Sequence, residues 1–304
     1  MMRFSATEAA FEGFRVVRRQ PMALVFWSLF YAVITVGAFA MMGPSLISFV
    51  SATEQLEQSG GTPTLEDFAP LFQMMGILFA VLLPLSLVST AMIYAAVARS
   101  VLRPAESAFG YLRLGMDEVR VLVVSLVLFV VFTLLMFLAG GIVGAVAGMT
   151  AAAEMPALWF LVVLLALAAI ALFIWLAVRL CLAIPITVAE RRIAIFDSFG
   201  LTKGRFWSLL GMALLAGVMT IVVSILGSLV AMPIQLATGG GLMALSDFEG
   251  ESLQVILQAA WPAIAAWIVI NAILYALQIA VAYAPFSAAY RDLKGIETEA
   301  AVTE

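Results

Sequence analysis

Long apolar runs alternate with short polar ones along the whole chain. The apolar runs lie near residues 22–50, 70–98, 119–149, 157–189, 207–236 and 261–290. A helix that crosses a bilayer needs about 20 apolar residues, so the pattern predicts six transmembrane helices. Several runs exceed that length, which predicts spans that tilt, kink or project into the interface. The first 20 residues mix acidic and basic groups, and no cleavage-site pattern follows the first apolar run. An uncleaved N-terminal segment is therefore expected rather than a signal peptide. The expected fold class is all-α: a polytopic membrane protein, one membrane domain over 1–304, with a short tail at 296–304.

The polar pieces between the runs resemble one another. "FEGFRVVRRQPMAL" (Phe11 to Leu24) lies without gaps over "FDSFGLTKGRFWSL" (Phe196 to Leu209), matching Phe11 with Phe196, Glu12 with Asp197, Phe14 with Phe199 and Arg18 with Lys203. "FGYLRLGMDEVRVL" (Phe109 to Leu122) is a weaker third copy. The even-numbered spans end alike in "MIYAAVAR", "IPITVAER" and "APFSAAYR", where Pro185 coincides with Pro285 and Ile93 stands in the first copy. Three units are expected, at about 1–103, 104–192 and 193–295. Each is an amphipathic helix, a span, an outer loop and a span, repeated about an axis along the membrane normal. On a helix over 7–19, Glu8, Glu12, Arg15 and Arg19 share one face and Ala10, Phe11, Phe14 and Val17 another. Such a helix is expected to lie in the membrane plane with its basic residues at anionic headgroups. That gives Arg18, Arg19, Lys203, Arg205 and Trp207 a headgroup-binding role, with the indole at headgroup depth.

Charge sets the orientation. With the N-terminus inside, all 15 Lys and Arg fall in cytoplasmic segments. The opposite loops carry Glu54, Glu57, Glu66, Asp67, Glu154, Asp247, Glu249 and Glu251 and no basic residue. This is the positive-inside pattern, and both termini are expected in the cytoplasm. Scattered carboxylates in such loops are ordinarily just solvated.

Composition then removes chemistry. The chain has 64% hydrophobic residues, no histidine and one cysteine, Cys181. Disulfides, Cys/His zinc sites and histidine-dependent nucleophilic catalysis are excluded. There is no phosphate-binding GxxxxGK[ST], since Lys203 precedes a glycine, and the acids Asp117, Glu118, Glu190 and Asp197 have no phosphotransfer spacing. No catalytic constellation, cofactor, metal or nucleic-acid partner is expected. Membrane lipids, anionic ones foremost, are the expected partners, with a protein partner or a second copy as another.

Some polar residues fall within or beside the spans. Arg179 lies 12 residues before Arg191, roughly 18 Å along a continuous helix. It is either buried in hydrocarbon with a partner, or it snorkels at the interface with Pro185 bending the chain beyond it. Asn271, Tyr275 and Gln278 recur at i, i+4 and i+7, a stripe that suits helix–helix bonding or, with Arg179, a polar site. Gly140, Gly144 and Gly148 form a small-residue seam for packing within the monomer or between copies.

"RLCLAIPITVAERRIAIFDSFGLTKGRFWSLLG" (Arg179 to Gly211) resembles the six-helix membrane-domain family best known as the membrane part of some bacterial glycerophosphodiester phosphodiesterases. The resemblance rests on Arg179-Leu180, Pro185, Glu190, Phe196, Ser198, Leu201, Lys203-Gly204 and Phe206-Trp207, about a tenth of the chain. It implies a membrane-embedded module near lipid handling, with no reaction of its own. The family's phosphodiesterase chemistry belongs to a separate soluble barrel, so no catalytic residue carries over. The functional expectation is a non-enzymatic inner-membrane protein that binds or organises lipids or partner proteins. The alternative is a small transporter or channel for lipid-like or apolar compounds, with a polar site at Arg179, Asn271 and Gln278.

Overall fold

The computed structural model describes residues 5–59, 68–153, 158–237 and 253–295, and they contain no strand. The helices are α1 (Ala6–Ala10), α2 (Glu12–Arg19), α3 (Pro21–Ser59), α4 (Ala69–Ile77), α5 (Leu83–Leu102), α6 (Met116–Ala152), α7 (Trp159–Leu180), α8 (Ala183–Glu190), α9 (Asp197–Thr202), α10 (Phe206–Ala237) and α11 (Leu253–Lys294). Among the described residues six stretches are long and apolar enough to cross a membrane: Pro21–Met42, Leu71–Leu102, Ala108–Ala152, Trp159–Glu190, Phe206–Pro233 and Trp261–Lys294. The acidic segments 60–67, 154–157 and 238–252 and the tail 296–304 lie outside the described residues.

Proline explains the breaks within spans. Pro84 has no N–H for the carbonyl one turn earlier, and the preceding Leu78–Leu82 widens into a π-helical turn. Pro185 likewise deprives Cys181 of its helical partner, and α7 ends there before α8 resumes. The fourth span is thus two helices, not one. The first span departs from expectation in the other direction. α3 continues through Ser59 because Ala, Glu, Gln and Leu, all good helix formers, follow its apolar part.

α11 is the hub, packing on α10, α3, α5 and α2, while α6 packs on α5, α7 and α8. The largest fully buried side chains include Trp27, Ile93, Arg99, Tyr111, Leu182, Ile186, Leu209, Met212 and Tyr290. All lie toward one end of the spans, which also carries α1, α2, α9 and the arginines. We call it the basic end. Away from it, α6, α7 and α10 expose large apolar side chains such as Phe137, Phe160, Leu167 and Val230, a surface suited to hydrocarbon.

The segments preceding the odd-numbered spans differ more in structure than in sequence. α1 and α2 form a broken helix over 6–19 that docks on α10 and α11. Gly13 makes this approach possible, since an added Cβ would come within 2.6 Å of the Ala280 carbonyl oxygen and would overlap the Val281 backbone. Pro285 removes the N–H that would bond the Val281 carbonyl, so α2 crosses α11 where the continuous helix lacks one hydrogen bond. Glu12, expected on the outward face, is buried as a result. Before α6 there is no amphipathic helix but a tight turn over Ala108–Tyr111, with positive φ at Phe109, Gly110 and Tyr111. Before α10, α9 has six residues, and Gly204 at φ +76° turns the chain into the span.

Candidate functional site

The basic end is built around charges with protein partners. Arg99, 2% exposed near the end of α5, donates to the Tyr111 carbonyl at 2.6 Å and pairs with Glu118 at the start of α6. Glu118 also accepts from the Gly115 N–H at 2.9 Å and caps that helix. The Trp27 indole donates to the Gly110 carbonyl at 2.7 Å. These two carbonyls belong to the left-handed turn, whose non-glycine residues each cost about 1–2 kcal/mol. Gly110 is required there twice: its φ is +65°, and an added Cβ would come within 2.8 Å of Phe26 Cβ. Arg99 and Trp27 therefore hold a strained turn against α3 and α5.

Neighbouring pairs extend the clasp. Arg103 reaches Asp117 at 3.3 Å and donates to the Val188 and Ala189 carbonyls, closing the C-terminus of α8 with a cation. Arg291 of α11 pairs with Glu12 of α2 at 3.4 Å. Glu190 accepts from Tyr290 at 3.2 Å and from Lys294 at 3.2 Å. The arginines that align at the ends of the even-numbered spans, Arg99, Arg191 and Arg291, each pair with a carboxylate from another segment: Glu118, Glu106 and Glu12.

Outside this clasp lie the residues assigned to headgroups. Arg18, Arg19, Lys203 and Arg205 are exposed, and Trp207 is 80% exposed. Large apolar side chains share the same end: Phe196 is 79% exposed, Phe109 73% and Leu114 87%.

Arg179 turns away from the amide stripe. Its guanidinium donates to the Phe199 carbonyl and to Thr202 Oγ1 of α9, each at 3.4 Å, and lies 5.7 Å from the Trp175 ring centre. Its Nε is buried without a partner among the described residues. Ser198 completes the joint, donating to the Arg179 carbonyl at 2.6 Å and accepting from the Leu182 N–H at 3.3 Å. Arg179 is thus an anchor for α9. The stripe is spent locally: Asn271 donates to the Trp267 carbonyl of its own helix, and Tyr275 stacks edge-on against Tyr31 with centroids 4.4 Å apart. Gln278 is half-buried on the same helix. Among the described residues Arg179 makes no hydrogen bond to any of the three. Gly140, Gly144 and Gly148 face open space among the described residues, with none within 4 Å of an added Cβ.

A feature that no sequence pattern announces lies just inside the clasp. A half-open apolar pocket of about 460 Å³ is lined by residues of α5, α6, α7, α8, α10 and α11. Leu128, Phe132, Leu180, Ile184 and Pro185 line it, with Cys181, Tyr94, Tyr283 and Ser287 as its polar or polarisable members. The Tyr94 and Tyr283 rings are tilted against each other with centroids 3.9 Å apart. Such a volume falls within the range of small-molecule sites. No family model, curated protein or solved structure matches the chain.

Proposed function

We propose that this is a non-enzymatic protein of the bacterial inner membrane, with both termini in the cytoplasm, that binds and organises anionic lipids at its cytoplasmic face. The observation that carries the reading is the division of labour among charges at the basic end. Arg99, Arg103 and Arg291 are committed to protein carboxylates and carbonyls, whereas Arg18, Arg19, Lys203 and Arg205 are exposed at the same end as the exposed Trp207. Exposed cations next to exposed aromatic and aliphatic side chains suit a phosphate layer with acyl chains beneath it. The docking of α2 on α11 refines this reading, because the helix presents Arg18 and Arg19 outward while Gly13 lets it lie close against the bundle. The three-unit plan is part of the proposal, supported by the recurring arginine–carboxylate closure of the even-numbered spans.

The test is lipid enrichment in mixed phosphatidylglycerol–phosphatidylcholine nanodiscs, comparing the wild type with the combined Arg18, Arg19, Lys203 and Arg205→Gln variant. The wild type should enrich phosphatidylglycerol, and the variant should lose that preference with its six spans inserted. Equal enrichment by both would reject the reading.

A further inference from the structure

Beyond the headgroup surface, we propose that the apolar cavity inside the bundle holds one acyl chain of a bilayer phospholipid as an integral ligand. The space is created by small residues brought together from four helices: Ala98, Ala177, Ala213, Ala216, Gly217 and Ala282. At Gly217 an added Cβ would meet nothing within 4 Å. Interiors pack with few voids larger than a water molecule, and an apolar cavity stays dry and takes apolar guests. At about 460 Å³ and half-open, this space is far larger than the water-sized voids that packed interiors leave. Left empty, its lining would forfeit dispersion contacts on one side.

Position selects the occupant. Gly217, an exposed member of the wall, lies about 16 Å along α10 from its basic-end start at Phe206. That depth is hydrocarbon rather than water, so a guest entering beside Gly217 comes from the bilayer. A layer of guanidiniums, each already paired with a carboxylate, marks the headgroup level on the basic-end side of the cavity: Arg291 one turn beyond Ser287 on α11, Arg103 just past α5 beyond Ala98, and Arg120 about two turns before Leu128 on α6. A chain lying in the cavity with its tail away from the basic end therefore places its phosphate at the level of cationic side chains. A diacyl phospholipid meets both conditions.

The test is native mass spectrometry of the full chain, washed extensively in detergent, beside an Ala213→Leu/Gly217→Leu variant and a Gly144→Leu control. The wild type and the control should each retain one phospholipid per protomer. Filling the cavity should lower that occupancy about tenfold or more, because displaced methylenes lose their contacts. The combined Arg/Lys→Gln headgroup variant should keep this lipid, which separates failure here from failure of the headgroup reading. No retained lipid in the wild type, equal retention in the filled variant, or a retained molecule that is not a phospholipid would overturn the proposal. If the filled variant does not fold, a phospholipid with a diazirine in its acyl chain decides on the wild type. Crosslinks should fall on residues 177–185, 213–217 and 282–287, and crosslinks confined to the outer faces of the spans would overturn it.

Discussion

Near the start of α6, Glu118 is buried against Arg99, with Trp27 and Tyr111 bonded around them; toward the other end of the same helix, Gly140, Gly144 and Gly148 face open space. Among the described residues, one helix thus passes from a saturated polar interior to an uncovered surface. The difference follows from where a membrane protein can use each kind of interaction. Lipid tails are as apolar as leucine, so apolar side chains gain little by leaving them, and close packing or hydrogen bonds must hold helices together. At the basic end the polar groups lie close enough in chain and space to satisfy one another. In the far half the helices meet by shape, as where Gly227 of α10 receives Leu274 of α11.

Substitutions can break this comparison at graded cost. The largest effect is expected from Arg99→Met, which leaves Glu118 buried and the Tyr111 carbonyl without its donor. Removing one member of a buried pair costs about 3–5 kcal/mol, to be read from unfolding in mixed micelles. Gly13→Ala should cost about 1–3 kcal/mol, since its methyl meets the α11 backbone rather than a side chain that can yield. Protease sensitivity of the N-terminal 19 residues would report the undocking of α2. Trp27→Phe keeps an aromatic ring, though a smaller one, but strands the Gly110 carbonyl, and should cost about 1–3 kcal/mol in the same assay. Gly144→Leu should shift stability of the monomer by less than about 0.5 kcal/mol. A larger loss, accompanied by a smaller particle in sizing experiments, would show the seam to be an interface between copies.

Much of the fold was legible in hydropathy because the bilayer demands long apolar helices and little else. The Pro185 break was legible too, since a missing N–H acts locally. The interior of the basic end was not. A helical wheel assigns Glu12 outward by polarity alone, whereas Gly13 brings α2 so close to α11 that Glu12 meets Arg291 inside. One clue was available: Gly13 aligns with Ser198, a small residue after an acid in both "FEGF" and "FDSF", and both sit at tight joints. Spacing along the chain puts Arg179 at the depth of a polar stripe on α11. Its partners are instead on α9, which folds back beneath it once Pro185 has ended the helix. The left-handed turn at Phe109–Tyr111 hides in a segment that scores as a weak copy of a helix. The cavity was illegible because it is made of scattered alanines that mean nothing until several helices bring them together.

The claim that the basic end closes the bundle through buried, mutually satisfied polar groups is tested most directly by a double-mutant cycle on Arg99 and Glu118. Arg99→Met and Glu118→Leu should each lower unfolding stability by about 3 kcal/mol, and the double variant should recover much of that loss, because neither charge is then left alone in the interior. Two losses that simply add, or single variants as stable as the wild type, would contradict it.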